Sequence, residues 1–377
     1  MKLLLNHCHL IVDGNKEYLD GAIFLDGEHI LDVFPHANKV TINDEYKEEN
    51  LNGLIVMPGF FDTHLHGSND YDFRHEDKFN LDEVSNSLCK HGTTSFLATV
   101  NGYQDEKEIL DKLNNLETTN SKCLGIHLEG PFLSKEKIGV SIEENLLTPD
   151  VNYLKELINI NKNIKQMTIA PELKGSKEVI DCLKENNIKV MLGHSNATVT
   201  DLENIDYDGF THFFNAMSGF DHHTLGLVNV GLNNPDKYFE VIGDGIHIDK
   251  SVLKLLLKNL RRDRIMLISD AVQVAGLEDG EYSYNNEVCI KEGKKFYRKK
   301  DNKLSGSASF IIDELKVMKS LGASYTDLLL MSSLNAYRFY GLDNLYGSLV
   351  KGKCADLVIM DDNLDIKDVY IKGKKYA

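Results

Sequence analysis

Short apolar runs broken by turn residues fill the first fifty-odd positions: Leu3-Leu4-Leu5, Leu10-Ile11-Val12, Ala22-Ile23-Phe24-Leu25 and Ile30-Leu31-Asp32-Val33, with Asp13-Gly14 and Asp26-Gly27 between them. Runs of strand length punctuated by Asp-Gly predict a β-meander. The same signature returns at the far end, in Asp356-Leu357-Val358-Ile359-Met360 and Asp368-Val369-Tyr370-Ile371. The terminal segments, 1–55 and 347–377, are therefore expected to pair into one small β-sandwich domain. Over 56–346, compact apolar strands end near His64, Ala98, Glu129, Ala170, His194, His212, Asp244 and Asp270, each followed by a longer stretch with helical apolar spacing. Eight such repeats predict an α/β fold, a TIM (β/α)8 barrel. An open doubly wound sheet would need a glycine-rich turn opening a helix after an early strand, and the chain has none. A charged stretch over 278–303, with a turn at Glu278-Asp279-Gly280 and a strand at Val288-Cys289-Ile290, predicts a β-hairpin insertion. Phe310, Ile311, Leu315 and Met318, then Leu328 to Leu330, predict amphipathic helices that close the outer ring.

Composition narrows what such a barrel can bind. The 377 residues carry 42 Lys and Arg against 58 Asp and Glu, a formal charge of −16. That balance repels phosphate backbones and anionic lipid, which argues against a nucleic-acid or membrane-surface binder. No run approaches the ~20 apolar residues of a membrane span. Met1-Lys2-Leu3-Leu4-Leu5 is too short an apolar run for a signal-peptide core, so a cytoplasmic protein is expected. The six cysteines have no paired spacing and read as buried thiols in a reducing compartment. A chain this long buries roughly 75% of its unfolded surface and needs no metal to hold its core. Any metal it binds is functional.

The barrel's predicted strand ends carry the residues able to bind one. His64-Leu65-His66 closes the first strand, and its i and i+2 side chains share a face. Glu129 follows the third strand, His194 the fifth, His212 the sixth and Asp270 the eighth. Each alone reads as well as a satisfied polar residue; six at the end where this fold places its active sites point to a divalent ion such as zinc or iron. Other motifs carry less. His7-Cys8-His9 sits in a strand remote from the barrel mouth and reads as structural, and Lys294-Lys295-Phe296-Tyr297-Arg298-Lys299-Lys300 as a solvated hairpin. His127, two residues before Glu129, reads as support for a ligand rather than a ligand.

Longer motifs surround these residues: Met57-Pro58-Gly59-Phe60-Phe61-Asp62-Thr63-His64-Leu65-His66-Gly67, His127-Leu128-Glu129-Gly130-Pro131-Phe132, Gly193-His194-Ser195-Asn196-Ala197-Thr198, Thr211-His212-Phe213-Phe214-Asn215-Ala216-Met217, Asp244-Gly245-Ile246-His247 and Ser269-Asp270-Ala271. With them the chain resembles the amidohydrolase superfamily and, within it, the N-acetylglucosamine-6-phosphate deacetylases. The resemblance implies hydrolysis of the acetamide of an amino-sugar phosphate, with Glu129, His194 and His212 holding the principal ion and His64 and His66 able to hold a second. It implies Asp270 as the residue that takes a proton from the attacking water and delivers it to the departing amine. It implies substrate contacts at Val140, Asn215, Ala216, His247 and Leu304-Ser305-Gly306, and a homodimer.

Two departures stand out. Ser141 occupies the place of a longer histidine or glutamine, which shifts carbonyl polarisation toward the metals. His223 replaces the arginine that the resemblance implies clasps phosphate from a neighbouring subunit. Either His222 and His223 bind the phosphate together, or the substrate is another N-acetylated amino sugar, of galactosamine type or unphosphorylated. A different cyclic-amide or N-acyl amidohydrolase and a non-catalytic barrel are the competing classes; the second should have lost ligands, and none of the six is missing.

Overall fold

A computed structural model describes residues 2–40, 45–101, 106–139 and 142–376. The chain opens with the meander β1 (Lys2–Asp13), β2 (Lys16–Asp26) and β3 (His29–Phe34), paired antiparallel. Strands β4 (Lys47–Asn50) and β5 (Ile55–Pro58) then run parallel to β1. One residue, Gly59, separates β5 from the first barrel strand, β6 (Phe60–Leu65). The chain changes sheets here: the Gly59 amide bonds Asp356 in the C-terminal segment, while its carbonyl accepts from Ser333 in a barrel helix. A Cβ at Gly59 would stand 2.2 Å from Thr94 Cγ2 and 2.7 Å from Thr94 Cβ. Rotating Thr94 cannot clear its own Cβ, so the clash falls on the backbone of the next barrel strand. Gly59→Ala is expected to lower the free energy of unfolding by about 1–3 kcal/mol. An unchanged urea midpoint would show that the two sheets tolerate a wider gap.

Beyond β6 a tight turn pairs β7 (Gly67–Ser68) with β8 (Tyr71–Asp72). The barrel continues through β9 (Thr93–Asn101), β10 (Lys122–Glu129), β11 (Ile164–Ile169), β12 (Lys189–Leu192), β13 (Gly209–Phe210), β14 (Tyr238–Val241) and β15 (Ile265–Leu267), each parallel to the last. These are the eight strands the apolar runs predict. Bonds just past the short strand β15 draw it to β6: Ser269 Oγ donates to Asp62 Oδ2 at 2.5 Å, and the Asp270 amide to the His64 carbonyl at 3.0 Å. The outer helices obey their apolar spacing. In Lys250–Asn259, Asp249 caps the N-terminus by accepting from the Ser251 amide, and Leu253, Leu256 and Leu257 form the buried stripe.

The insertion is larger than the hairpin expected. Four strands, β16 (Gly280–Tyr284), β17 (Glu287–Glu292), β18 (Lys295–Arg298) and β19 (Leu304–Ser307), form an antiparallel sheet. Asn285 and Asn286, with φ of 50° and 60°, make the two-residue turn between β16 and β17. The fourth strand reads Leu-Ser-Gly-Ser and has no apolar alternation to announce it. Four of the five cations of the basic run are paired in place: Lys294 with Asp313, Arg298 with Asp301, Lys299 with Glu281 and Lys300 with Glu287.

Strands β20 (Leu357–Met360), β21 (Ile366–Ile371) and β22 (Lys374–Lys375) return to the first sheet, β20 lying antiparallel against β5. Both termini thus build one eight-stranded sheet. Its residues alternate between two cores. Leu3, Leu5, Ile23, Val56, Leu357 and Ile359 pack together, while Ile55, Met57, Val358 and Met360 point into the barrel's cluster. All six cysteines are free thiols, five of them buried. Among the described residues, no helix is long and apolar enough to cross a membrane.

Candidate metal centre

The six predicted ligands meet at one end of the barrel. His64 lies inside β6 and Glu129 ends β10; His194, His212 and Asp270 stand two to three residues past β12, β13 and β15. Those last three have positive φ, at 47°, 28° and 48°. A left-handed backbone costs a non-glycine residue about 1–3 kcal/mol and here turns each side chain from the strand direction into the mouth. Their donor atoms fall into two groups, His64, His66 and Asp270, and Glu129, His194 and His212, each with all ligand atoms within 4.8 Å of one another.

Glu129 joins the groups. Its Oε1 lies 3.1 Å from His194 Nε2, 3.2 Å from His212 Nε2 and 3.4 Å from His64 Nε2, and its Oε2 lies 3.3 Å from His66 Nε2. His194 Nε2 and His212 Nε2 face each other at 3.0 Å. Among the described residues, the buried His64 Nε2 finds no hydrogen-bond partner. Imidazole nitrogens converging on carboxylate oxygens, with one such nitrogen unsatisfied, fit a divalent cation between them. Burial pushes the Glu129 pKa up, but His64 and His194 outweigh it and hold the carboxylate well below its usual range. Asp270 follows the same logic: burial raises it, and His66 and His64 pull it down to about 2.

Outer partners fix these side chains. The other ring nitrogen of His194 meets the Lys137 carbonyl at 2.8 Å, which aims Nε2 inward. Asn101 Nδ2 donates to Glu129 Oε2 at 3.1 Å. Behind His64, the fully buried Glu240 accepts from Gln166 at 2.8 Å and from Thr63 at 3.2 Å, and stands 3.4 Å from His64 Nδ1. His127 holds no place in either ligand group. It bridges Thr99 and Thr168, stacks edge-on against His64 at 4.5 Å, and is kept neutral by burial, which lowers its pKa well below the usual value.

A cavity of about 180 Å³ opens over the ligands. Asn215, Ala216, His247, Leu304 and Gly306 line it. Burial lowers the His247 pKa, but a 2.8 Å bond to Asp244 outweighs it and leaves the ring more basic than usual. Ser305, alternating to the other side of β19, faces a neighbouring pocket. Val140 and Ser141 lie outside the described residues. His222 and His223 sit on an exposed loop, rings 3.9 Å apart, and are not among the residues lining this chain's cavity. Five lining residues carry no sequence prediction: Arg74, Asn101, Gly139, Ile242 and Tyr284. Of these, Asn101 had a readable signal, a polar residue closing a strand that is otherwise apolar or small.

The sequence model of the amidohydrolase family matches residues 55–375. N-acetylglucosamine-6-phosphate deacetylase of Bacillus subtilis is 31% identical over 326 residues, spanning 83% of this chain and 82% of its own length. N-acetylgalactosamine-6-phosphate deacetylase of Escherichia coli O157:H7 is 29% identical over 331 residues, spanning 85% and 87%. The solved structure of N-acetylglucosamine-6-phosphate deacetylase from Pasteurella multocida aligns with a TM-score of 0.91 at 25% identity, covering 100% of each chain. That of the Thermotoga maritima enzyme of the same name aligns at 0.84 with 29% identity, covering 99% of each.

Proposed function

The chain belongs to the amidohydrolase family, and we propose that it hydrolyses the acetamide of N-acetylglucosamine 6-phosphate, releasing glucosamine 6-phosphate and acetate. One observation carries the reading: two three-ligand groups, one of them containing Asp270, are joined by Glu129 and open on a cavity lined by Asn215, Ala216 and His247. Relatives of that name cover most of the chain and support the substrate. Glu129, His194 and His212 hold the principal ion, zinc or iron, and His64 and His66 a second. When bound, such an ion supplies Lewis acidity, polarising the acetamide carbonyl and acidifying a water nucleophile.

The chain's own residues do the rest. Asp270, ionised at neutral pH, accepts a proton from the attacking water and gives it to the amine nitrogen as the C–N bond breaks. His247, fixed by Asp244, donates to a sugar hydroxyl, and the backbone of Asn215 to Ala216 and of Leu304 to Gly306 shapes the walls. The barrel, 56–346, is the catalytic domain and the terminal sheet, 1–55 with 347–377, the second domain of a cytoplasmic homodimer. A hydrolysis panel of N-acetylglucosamine, N-acetylgalactosamine and N-acetylmannosamine, each with and without 6-phosphate, tests the reading. Fastest turnover is expected on N-acetylglucosamine 6-phosphate; turnover confined to unphosphorylated sugars or cyclic amides would refute it.

His222 and His223 do not line this chain's cavity, and we place them at the rim of the neighbouring copy's site, as the resemblance implies. Replacing both with alanine is expected to raise KM for the 6-phosphosugar and leave the unphosphorylated sugar unchanged. A dimer whose double variant shows an unaltered KM ratio would remove them from the site.

A further inference from the structure

We propose that Asn101 is a positioning residue: by tying one oxygen of Glu129 it keeps that carboxylate across both ion sites, and so sets the affinity of the second. The inference rests on the two-ion part of the reading above. Leu97, Thr99 and Asn101 of β9 take successive levels of the barrel interior. Leu97 clusters with Phe61, Met191 and Met266, which come from three other strands of the barrel; Thr99 meets His127, and Asn101 meets Glu129. The register between β9 and β10 places Asn101 directly opposite Glu129. Asn101 thus stands at the level of the ligands, 5% exposed, in the wall of the cavity.

The contact distinguishes the two oxygens of the carboxylate. Asn101 Nδ2 donates to Glu129 Oε2 at 3.1 Å, the oxygen that faces His66 Nε2 at 3.3 Å, while Oε1 is left to His194, His212 and His64. A carboxylate only accepts, so the orientation of the amide is fixed. Its Oδ1 is then turned away and, buried, finds no donor among the described residues. An asparagine that merely filled space between two strands would be bettered by an apolar side chain, because a buried acceptor without a donor is a net cost. What an apolar side chain lacks is the N–H on Oε2. Without it the carboxyl group can turn about its Cγ–Cδ bond and give both oxygens to the ion at His194 and His212. With it, Oε2 stays beside His66 while Oε1 stays with His194 and His212.

Zinc(II) binding to the metal-stripped protein, measured by calorimetry and by competition with a chelator, is the test. The native protein is expected to bind two ions. In Asn101→Leu, which keeps the volume and removes the donor, the second ion should bind about 10- to 100-fold more weakly and the first nearly as before. A His66→Ala background separates positioning from support of the fold. It lacks a ligand of the second site, so adding Asn101→Leu should leave the affinity of its remaining ion unchanged. Equal weakening of both ions in the single variant, no weakening, or a further loss in the double variant would overturn the inference, as would a native protein that holds one ion only. If Asn101→Leu does not fold, Asn101→Ala removes the same donor without added bulk and is read the same way. Turnover plays no part in these measurements. A protein that binds zinc as expected yet hydrolyses no N-acetylated sugar refutes the deacetylase reading and leaves Asn101 in its role.

Discussion

His194→Ala is expected to lose bound metal and turnover in parallel, both by well over 100-fold. Removing an outer partner of a metal ligand already lowers affinity or activity about 10- to 100-fold, and His194 is proposed as a direct ligand. Its Nε2 stands 3.1 Å from Glu129 and 3.0 Å from His212, so no neighbouring imidazole can swing in without abandoning its own position. The fold should survive. The lesion lies at the barrel mouth, beyond β12, while the buried cluster runs through strand and helix residues such as Leu192, Val190 and Leu183. Metal analysis and a turnover assay on the same purified variant read the outcome, with circular dichroism to check the fold. A metal-free His194→Ala protein with native activity would end the metal-dependent mechanism.

Much of this site is legible because the barrel repeats. Eight apolar strands locate eight strand ends, and a polar residue such as Glu129 closing an apolar run stands out against them. What pattern alone does not convey is direction. His194, His212 and Asp270 reach the centre through left-handed backbone, which no period along the chain announces. Arg74 escapes for a related reason. It lies in no strand and comes to the cavity only because the turn between β7 and β8 doubles back and Asp72 holds the fork. The polar strand β19 was invisible to hydrophobic alternation, although its Ser307 amide bonds the Asp270 carbonyl and so brings Leu304 and Gly306 to the wall. Glu240 did leave a trace, a carboxylate between Phe239 and Val241 in a buried strand. A charge in such a place requires partners, and Gln166, Thr63 and His64 supply them.

Asp270→Asn separates chemistry from binding. Burial alone would favour the protonated acid, but His66 and His64 hold the native carboxylate near a pKa of about 2, so at neutral pH it is a proton acceptor ready for use. Asparagine keeps the shape and can leave the backbone bond from the residue 270 amide to His64 intact, yet an amide has no proton to cycle between water and amine. The expected loss is about 10²- to 10⁴-fold in kcat, with KM little changed because the acetamide is still recognised by the same walls. Metal content distinguishes the two roles open to this side chain. Its Oδ1 lies 3.4 Å from His66 Nε2 and 3.6 Å from His64 Nε2, close enough to share the second ion. If Asp270 acts through the proton, the variant retains its principal ion at Glu129, His194 and His212 and still loses kcat. A parallel fall in metal and kcat would make it chiefly a ligand. Native kcat in the variant would move the acid and base role to another residue lining this cavity, with His247, held by Asp244 and more basic than usual, the first to test.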